Sequence, residues 1–153
     1  MDQDAVRERI RELIAGQPFG VLCTQGDGQP YGSLVAFAFD DELASLAFAT
    51  PEDTFKYRLL GACGRVAFVV DTRTLYPNDV MRAAAITATG RAVRLWSGLG
   101  KEWWRARLSE RHPQLAAFYG AKSSAIFRID VERFKLVTQF QEVHIWEPLA
   151  GAA

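Results

Sequence analysis

One stretch, Leu46 to Val70 (LAFATPEDTFKYRLLGACGRVAFVV), constrains this chain more than any other. It reads as strand, short loop, helix, strand. Ala47, Phe48 and Ala49 close one apolar run, and Thr50-Pro51-Glu52-Asp53-Thr54 breaks it. Phe55 to Ala62 has helical spacing, and Arg65 to Val70 is apolar and rich in valine. The loop gathers the hydroxyls of Thr50 and Thr54, the ammonium of Lys56 and backbone N–H groups free of helix partners. A helix start carries partial positive charge and free donors, so such a loop suits a phosphate. The same residues also make an ordinary capped helix, with Asp53 or Thr54 as N-cap and Lys56 in solvent. Glu52 and Asp53 favour the second reading, because carboxylates repel a phosphate unless they point away. Local chemistry leaves both readings open.

The flanking segments predict a small antiparallel sheet. Asp4 to Ala15 is amphipathic, with Val6, Ile10, Leu13 and Ile14 on one face, and Gly16-Gln17-Pro18 ends it. Phe19 to Gln25 reads as a strand, Asp27-Gly28 as a tight turn, and Tyr31 to Phe39 as a second strand. That second strand is apolar on both faces, so a barrel interior, a helix or a partner subunit must cover each of them. Leu43 to Ala49 is the third strand of a meander. After the Arg65 to Thr72 strand comes a polar loop holding Arg73, Asn78 and Asp79, read as a turn in preference to a substrate pocket. Ala83 to Leu95 is a long strand with a bend or bulge at Gly90, and its start, Ala83 to Ala85, leaves room for a flat ligand or another backbone. Gly98 to Arg111 is a helix. Ser123 to Asp130 and Phe134 to Phe140 are strands around a Val131-Glu132-Arg133 turn, with Val143 to Trp146 extending the last and a loose tail from Leu149 to Ala153. The fold class is mainly β with helices (α+β): a closed or nearly closed antiparallel barrel of about six or seven strands plus three helices.

Composition narrows the function. A chain of 153 residues suits a single domain, 1–153, with a sizeable core. The 18 basic and 18 acidic residues cancel, so no large field points to nucleic acid or an anionic membrane. Arg105, Arg107 and Arg111 beside Trp103 and Trp104 are interrupted by Glu102 and Glu110, against a nucleic-acid surface. No apolar run reaches the roughly 18 residues of a membrane span, and the charged start lacks a signal-peptide core. Cys23 and Cys63 lie far apart in no ligand spacing, as small buried thiols of a reducing compartment do, and the default location is cytoplasmic. No dinucleotide, Walker, zinc or catalytic-triad signature is present. His112, before Pro113, reads as a helix-end cap, and His144 as a pairing or surface residue of the last strand. The many aromatics, including Trp96, Trp103, Trp104 and Trp146, exceed what one small barrel comfortably buries, which predicts a homodimer.

The ordered set of a D-G turn, a P-x-x-S strand, an a-T loop, a K-x-x-x-L helix and an R-V-a strand, with ITATGRAVRL and VERFKLVTQFQEVHIWEP later, resembles the pyridoxamine 5'-phosphate oxidase-like FMN-binding split barrels. The resemblance spans about Glu12 to Pro148. It implies FMN bound at a homodimer interface, with the phosphate held by Thr50, Thr54 and Lys56, next to Phe55. It implies that Ser33, Leu34, Val35 and Ala36 lie beside the flavin ring, and that a partner subunit covers the other side with Ala83 to Ile86 and the segment of His144 and Trp146. Flavin pairs a flat apolar ring with an anionic tail, which matches an apolar slot ending in donors.

The chain departs from the family in three places. Relatives usually carry a basic residue just before the clamp lysine, where Phe55 stands here. The true oxidases carry basic residues on the second strand and a glutamine near the long strand, and the best matches here are Ser33 and Ala85. Their substrate arginine near the C-terminus has no clear match. The resemblance therefore implies an uncharacterised branch: an FMN-dependent oxidoreductase acting on a small oxidised substrate. The alternatives are a non-catalytic flavin or haem binder, related to haem utilisation, and a deazaflavin-dependent reductase. No side chain stands out as an acid, base or nucleophile.

Overall fold

Asp2 starts the first element by accepting a hydrogen bond from Ala5 N at 2.8 Å, which caps helix α1 (Gln3–Ala15). Val6, Ile10, Leu13 and Ile14 form its buried stripe, as their spacing predicts. The structure, a computed structural model, describes residues 1–149; the expected loose tail lies outside the described residues beyond Leu149.

The strands are β1 (Phe19–Gly26), β2 (Gln29–Ala36), β3 (Ala38–Phe39), β4 (Ser45–Pro51), β5 (Arg65–Asp71), β6 (Ala85–Leu95), β7 (Ser124–Thr138) and β8 (Glu142–Trp146). They form one antiparallel sheet in the order β2-β1-β5-β6-β7-β4-β3, with β8 beside β7. The two ends of that order, β2 and β3, are separated in sequence by Phe37 alone, so the sheet curls back on itself into a split barrel. Its interior is filled by Leu22, Phe37, Leu46, Phe48, Phe68, Ile86 and Phe134, joined by the α1 stripe. Outside it lie α2 (Phe55–Ala62), α3 (Leu99–Arg111), a 3-10 turn (Pro113–Leu115) and α4 (Ala116–Gly120).

Several expected elements differ. The meander exists only in pieces: β1 pairs with β2, but β4 pairs with β3 and β7. The expected continuous Tyr31 to Phe39 strand breaks at Phe37, whose carbonyl leaves the ladder. Arg111 Nη1 and His112 Nε2 each donate to Phe37 O at 2.8 Å. Arg111 Nη2 also holds Ile14 O at 2.8 Å and Gln17 O at 2.7 Å, so one guanidinium ties α3 to the end of α1 and to the barrel seam. Burial, then the nearby Arg107 charge, pulls the Arg111 pKa below its ordinary value. His112 does end α3, through its N–H to Leu108 O, but its ring is buried and grips the seam. These partners lie far along the chain, so the local pattern does not reveal the break.

The expected turn at Val131-Glu132-Arg133 is a bulge inside one long strand. Thr89 pairs with Arg133 and Gly90 with Val131, leaving Glu132 unpaired with β6. Inward positions switch from Ile129 and Val131 to Phe134 and Leu136 across it. Two exposed polar residues in a row, Glu132 and Arg133, imitate a turn. Val143 to Trp146 does not extend that strand. It folds back as β8, through Gln139 and Phe140 at φ 48° and 72°. The short helix α4 is an addition to the three expected helices. The D-G turn, by contrast, forms as predicted, with Asp27 and Gly28 at φ 51° and 79° between paired Gly26 and Gln29.

Candidate functional site

β4 ends at Pro51, and the loop beyond it is braced from within. The Thr50 and Thr54 hydroxyls lie 2.6 Å apart, one donating to the other, and both lie 3.1 Å from Pro51 O. Thr54 is also the N-cap of α2, accepting from Tyr57 N at 3.2 Å. Thr50 is fully buried. The two hydroxyls are thus within the loop's own network, the Tyr57 N–H is taken by Thr54, and Lys56 is the residue of this helix start that lines the adjoining cavity. Glu52 turns to Arg94 at 3.5 Å, and Asp53 is exposed. Neither lines the cavity that Lys56 lines.

That cavity, of about 210 Å³, is the candidate site. Leu34, Val35 and Ala36 of β2 form one wall, and Ala49 and Pro51 of β4 another, with Lys56 at the start of α2. Among the described residues β2 ends the ladder and pairs with β1 alone, so its other edge offers free backbone donors and acceptors. Leu115, Phe118 and Tyr119 close the remaining side. The sequence reading missed this last wall; its only signal is the short apolar run LAAFY between Pro113 and Gly120. Among the described residues, no carboxylate pairs with Lys56, and the side chain is half-buried.

The other expected site residues are placed as follows. Ser33 lies on β2 next to the cavity without lining it, and its buried Oγ has no partner among the described residues. Phe55 packs its ring edge-on to Tyr31 at 5.0 Å, with Arg58 5.6 Å above it. Trp146 is distant: it pairs with Phe134, while Thr50 pairs with Ala125, on the order of 30 Å away along β7. Its ring packs on Phe134 at 5.9 Å and under Arg7 at 5.8 Å. His144 Nε2 lies 3.2 Å from Glu142 Oε1 but makes no hydrogen bond in that geometry.

A larger cleft of about 470 Å³ lies between the end of α1, β1, β5 and the loop after β5, and Leu34 lines it too. Its charged groups are spent on each other. Arg73 grips Asp71 in a fork, Nε to Oδ1 at 2.9 Å and Nη2 to Oδ2 at 2.7 Å. Burial raises the Asp71 pKa, but the Arg73 hydrogen bonds outweigh it and the net shift is downward. Asp79 accepts from Met81 N and Arg82 N within its own turn. Arg73 thus lines this cleft, while Asp79 closes its own turn. Among the described residues there is no metal-ligand cluster, and no helix is long and apolar enough to cross a membrane.

An antiparallel split barrel with a donor-ended apolar cavity at its seam defines the class. The chain belongs to the pyridoxamine 5'-phosphate oxidase family, whose sequence model matches residues 6–138. Its fold is similar to that of a haem binding protein from Mycobacterium smegmatis, at TM-score 0.82 and 17% identity over 92% of this chain and 57% of that one. It is also similar to Campylobacter jejuni ChuZ, at TM-score 0.81 and 10% identity over 96% and 61%. A FAD-binding protein from Mesorhizobium loti matches at TM-score 0.68 and 20% identity over 85% and 90%. The chain thus spans about three fifths of the first and second of these proteins. No curated protein matches it in sequence.

Proposed function

We propose that this chain binds FMN and acts as an oxidoreductase on a small oxidised substrate, at the interface of a homodimer. One observation carries the reading: Lys56 and the β2 residues Leu34, Val35 and Ala36 line a single cavity. Lys56 and the first-turn N–H groups of α2 bind the phosphate, with Thr54 beside them and Thr50 bracing the loop from behind. The free edge of β2, from Ser33 to Ala36, meets the polar rim of the ring, and the apolar walls keep water from its face. Flavin supplies the hydride or electron chemistry when bound, and the protein orients it.

The homodimer follows from size. About 210 Å³ is less than the roughly 300–1,000 Å³ of sites for drug-sized ligands, which supports a pocket completed by a second copy. Trp146 reaches a ring at Lys56 only from that copy, along with Ala83 to Ile86. A cytoplasmic location suits the free thiols of Cys23 and Cys63. The haem alternative gains less from the cavity, which neither His112 nor His144 lines. The FAD-binding protein of similar fold supports the flavin reading.

Fluorescence titration of the purified protein with FMN and with riboflavin tests this. Wild type quenches FMN saturably. Lys56→Ala weakens FMN by about 10- to 100-fold, the equivalent of a charged hydrogen bond, and leaves riboflavin within about twofold. Full FMN affinity in Lys56→Ala removes the phosphate assignment. A haem band, or uptake of deazaflavin without FMN, replaces the flavin reading.

A further inference from the structure

The hydroxyl of Tyr119 is buried and has no hydrogen-bond partner among the described residues. The residue is 2% exposed and lines the same cavity as Lys56 and the β2 edge. A buried hydroxyl without a partner is costly, and structures keep few of them without a reason. Burial pushes its pKa up to about 12, with Arg111 pulling weakly the other way, so it stays a neutral donor at any physiological pH. Its packing neighbours differ from those of Lys56. Tyr119 packs in a cluster with Ala38, Ala47, Ala49, Trp104 and Leu108. Ala47 and Ala49 precede Pro51 on β4, whereas Lys56 stands beyond it, at the start of α2. Lys56 and Tyr119 thus reach the cavity from different elements, the start of α2 and α4.

We propose that the Tyr119 hydroxyl donates a hydrogen bond to a carbonyl oxygen or ring nitrogen on the heteroaromatic edge of the ligand whose phosphate Lys56 holds. This rests on the flavin reading above and adds a binding residue from α4 to a site otherwise built from β2, β4 and α2. Leu115 and Phe118 beside it supply apolar contact only. The hydroxyl selects for a ring that presents an acceptor and against a purely hydrocarbon surface, which would leave the oxygen unpaired.

Wild type and Tyr119→Phe are titrated with FMN and with riboflavin by fluorescence quenching, and the apoproteins are melted. Tyr119→Phe weakens both flavins alike, by about three- to tenfold, the loss of one neutral hydrogen bond. It also shifts the bound flavin's absorbance bands, and the apoprotein melts at the same temperature or higher. Unchanged affinity for both flavins overturns the assignment, as does a loss confined to FMN, which would put the hydroxyl on the phosphate. A lower apoprotein melting temperature overturns it too, because the oxygen then has a partner within the protein. Wild type that binds neither flavin is a separate result: it removes the flavin reading and the Tyr119 assignment with it.

Discussion

Phe55 occupies the position where relatives carry a basic residue, and it spends its ring on the edge of Tyr31 at 5.0 Å. In the proposed flavin site the phosphate would therefore meet the Lys56 ammonium and the helix start without a second cation on the loop. Phe55→Arg restores that charge. We expect FMN to bind about three- to tenfold tighter at low salt, with riboflavin unchanged, and the gain to shrink as ionic strength rises. The lost aromatic edge contact costs about 0.5–1.5 kcal/mol, read as a small fall in Tm. Tyr119 makes a second prediction at this scale. Burial raises its folded pKa to about 12, above the ordinary 10.0 of a free tyrosine. This ionisation therefore leaves stability unchanged below about pH 10 and lowers it as pH rises toward 12, because the unfolded chain releases the proton first. Urea midpoints between pH 9 and about 12 should fall more steeply for wild type than for Tyr119→Phe. Equal slopes would mean that the phenol ionises as freely in the fold as outside it.

At the scale of elements, the crossing of β6 and β7 depends on one glycine. A Cβ at Gly90 would lie 2.1 Å from Asp130 O, where the bulge brings the backbones together. The atom met is backbone on the neighbouring strand, so no side chain can swing aside. Gly90→Val should destabilise by roughly 1–3 kcal/mol in urea unfolding, the range for backbone strain and overpacking. Because the bulge also switches which residues of β7 face inward, the same variant should disturb the packing of Phe134 and Leu136. A fall in near-UV circular dichroism before global unfolding reports that. A valine variant as stable as wild type would show that the strands can part at the bulge without loss.

For the whole molecule, the seam matters most. The barrel's ends meet at Phe37, and the cavity opens beside that seam with Leu34 at its mouth, 69% exposed on an edge strand. A large exposed apolar side chain there, next to an incomplete pocket, fits a surface that a second copy covers. If the second copy completes the pocket, flavin and partner promote each other's binding by the same factor. Sedimentation equilibrium should then give a tighter dimer with saturating FMN than without it, by about five- to 100-fold. FMN affinity should rise with protein concentration in the same proportion. A dimer constant indifferent to FMN would separate the site from the interface.

The amino-acid pattern alone settled the elements whose causes are local. The α1 stripe and the Asp27-Gly28 hairpin follow from residues within a few positions of one another, whereas the local pattern leaves open the choice of Thr54 over Asp53 as cap and misreads the bulge of Glu132 opposite Gly90. The family followed from their order along the chain. What tertiary structure decided depends on residues far apart in sequence. The break at Phe37 comes from Arg111 and His112 taking its carbonyl, and no periodicity in Tyr31 to Phe39 records that. The cavity's third wall is a short helix whose sequence resembles any small apolar run until it packs under β4. Lys56 likewise reads as either a solvent lysine or a site lysine. The choice depends on β2 ending the sheet beside it, because a hydrogen-bonded neighbour strand there would have filled the space the cavity occupies.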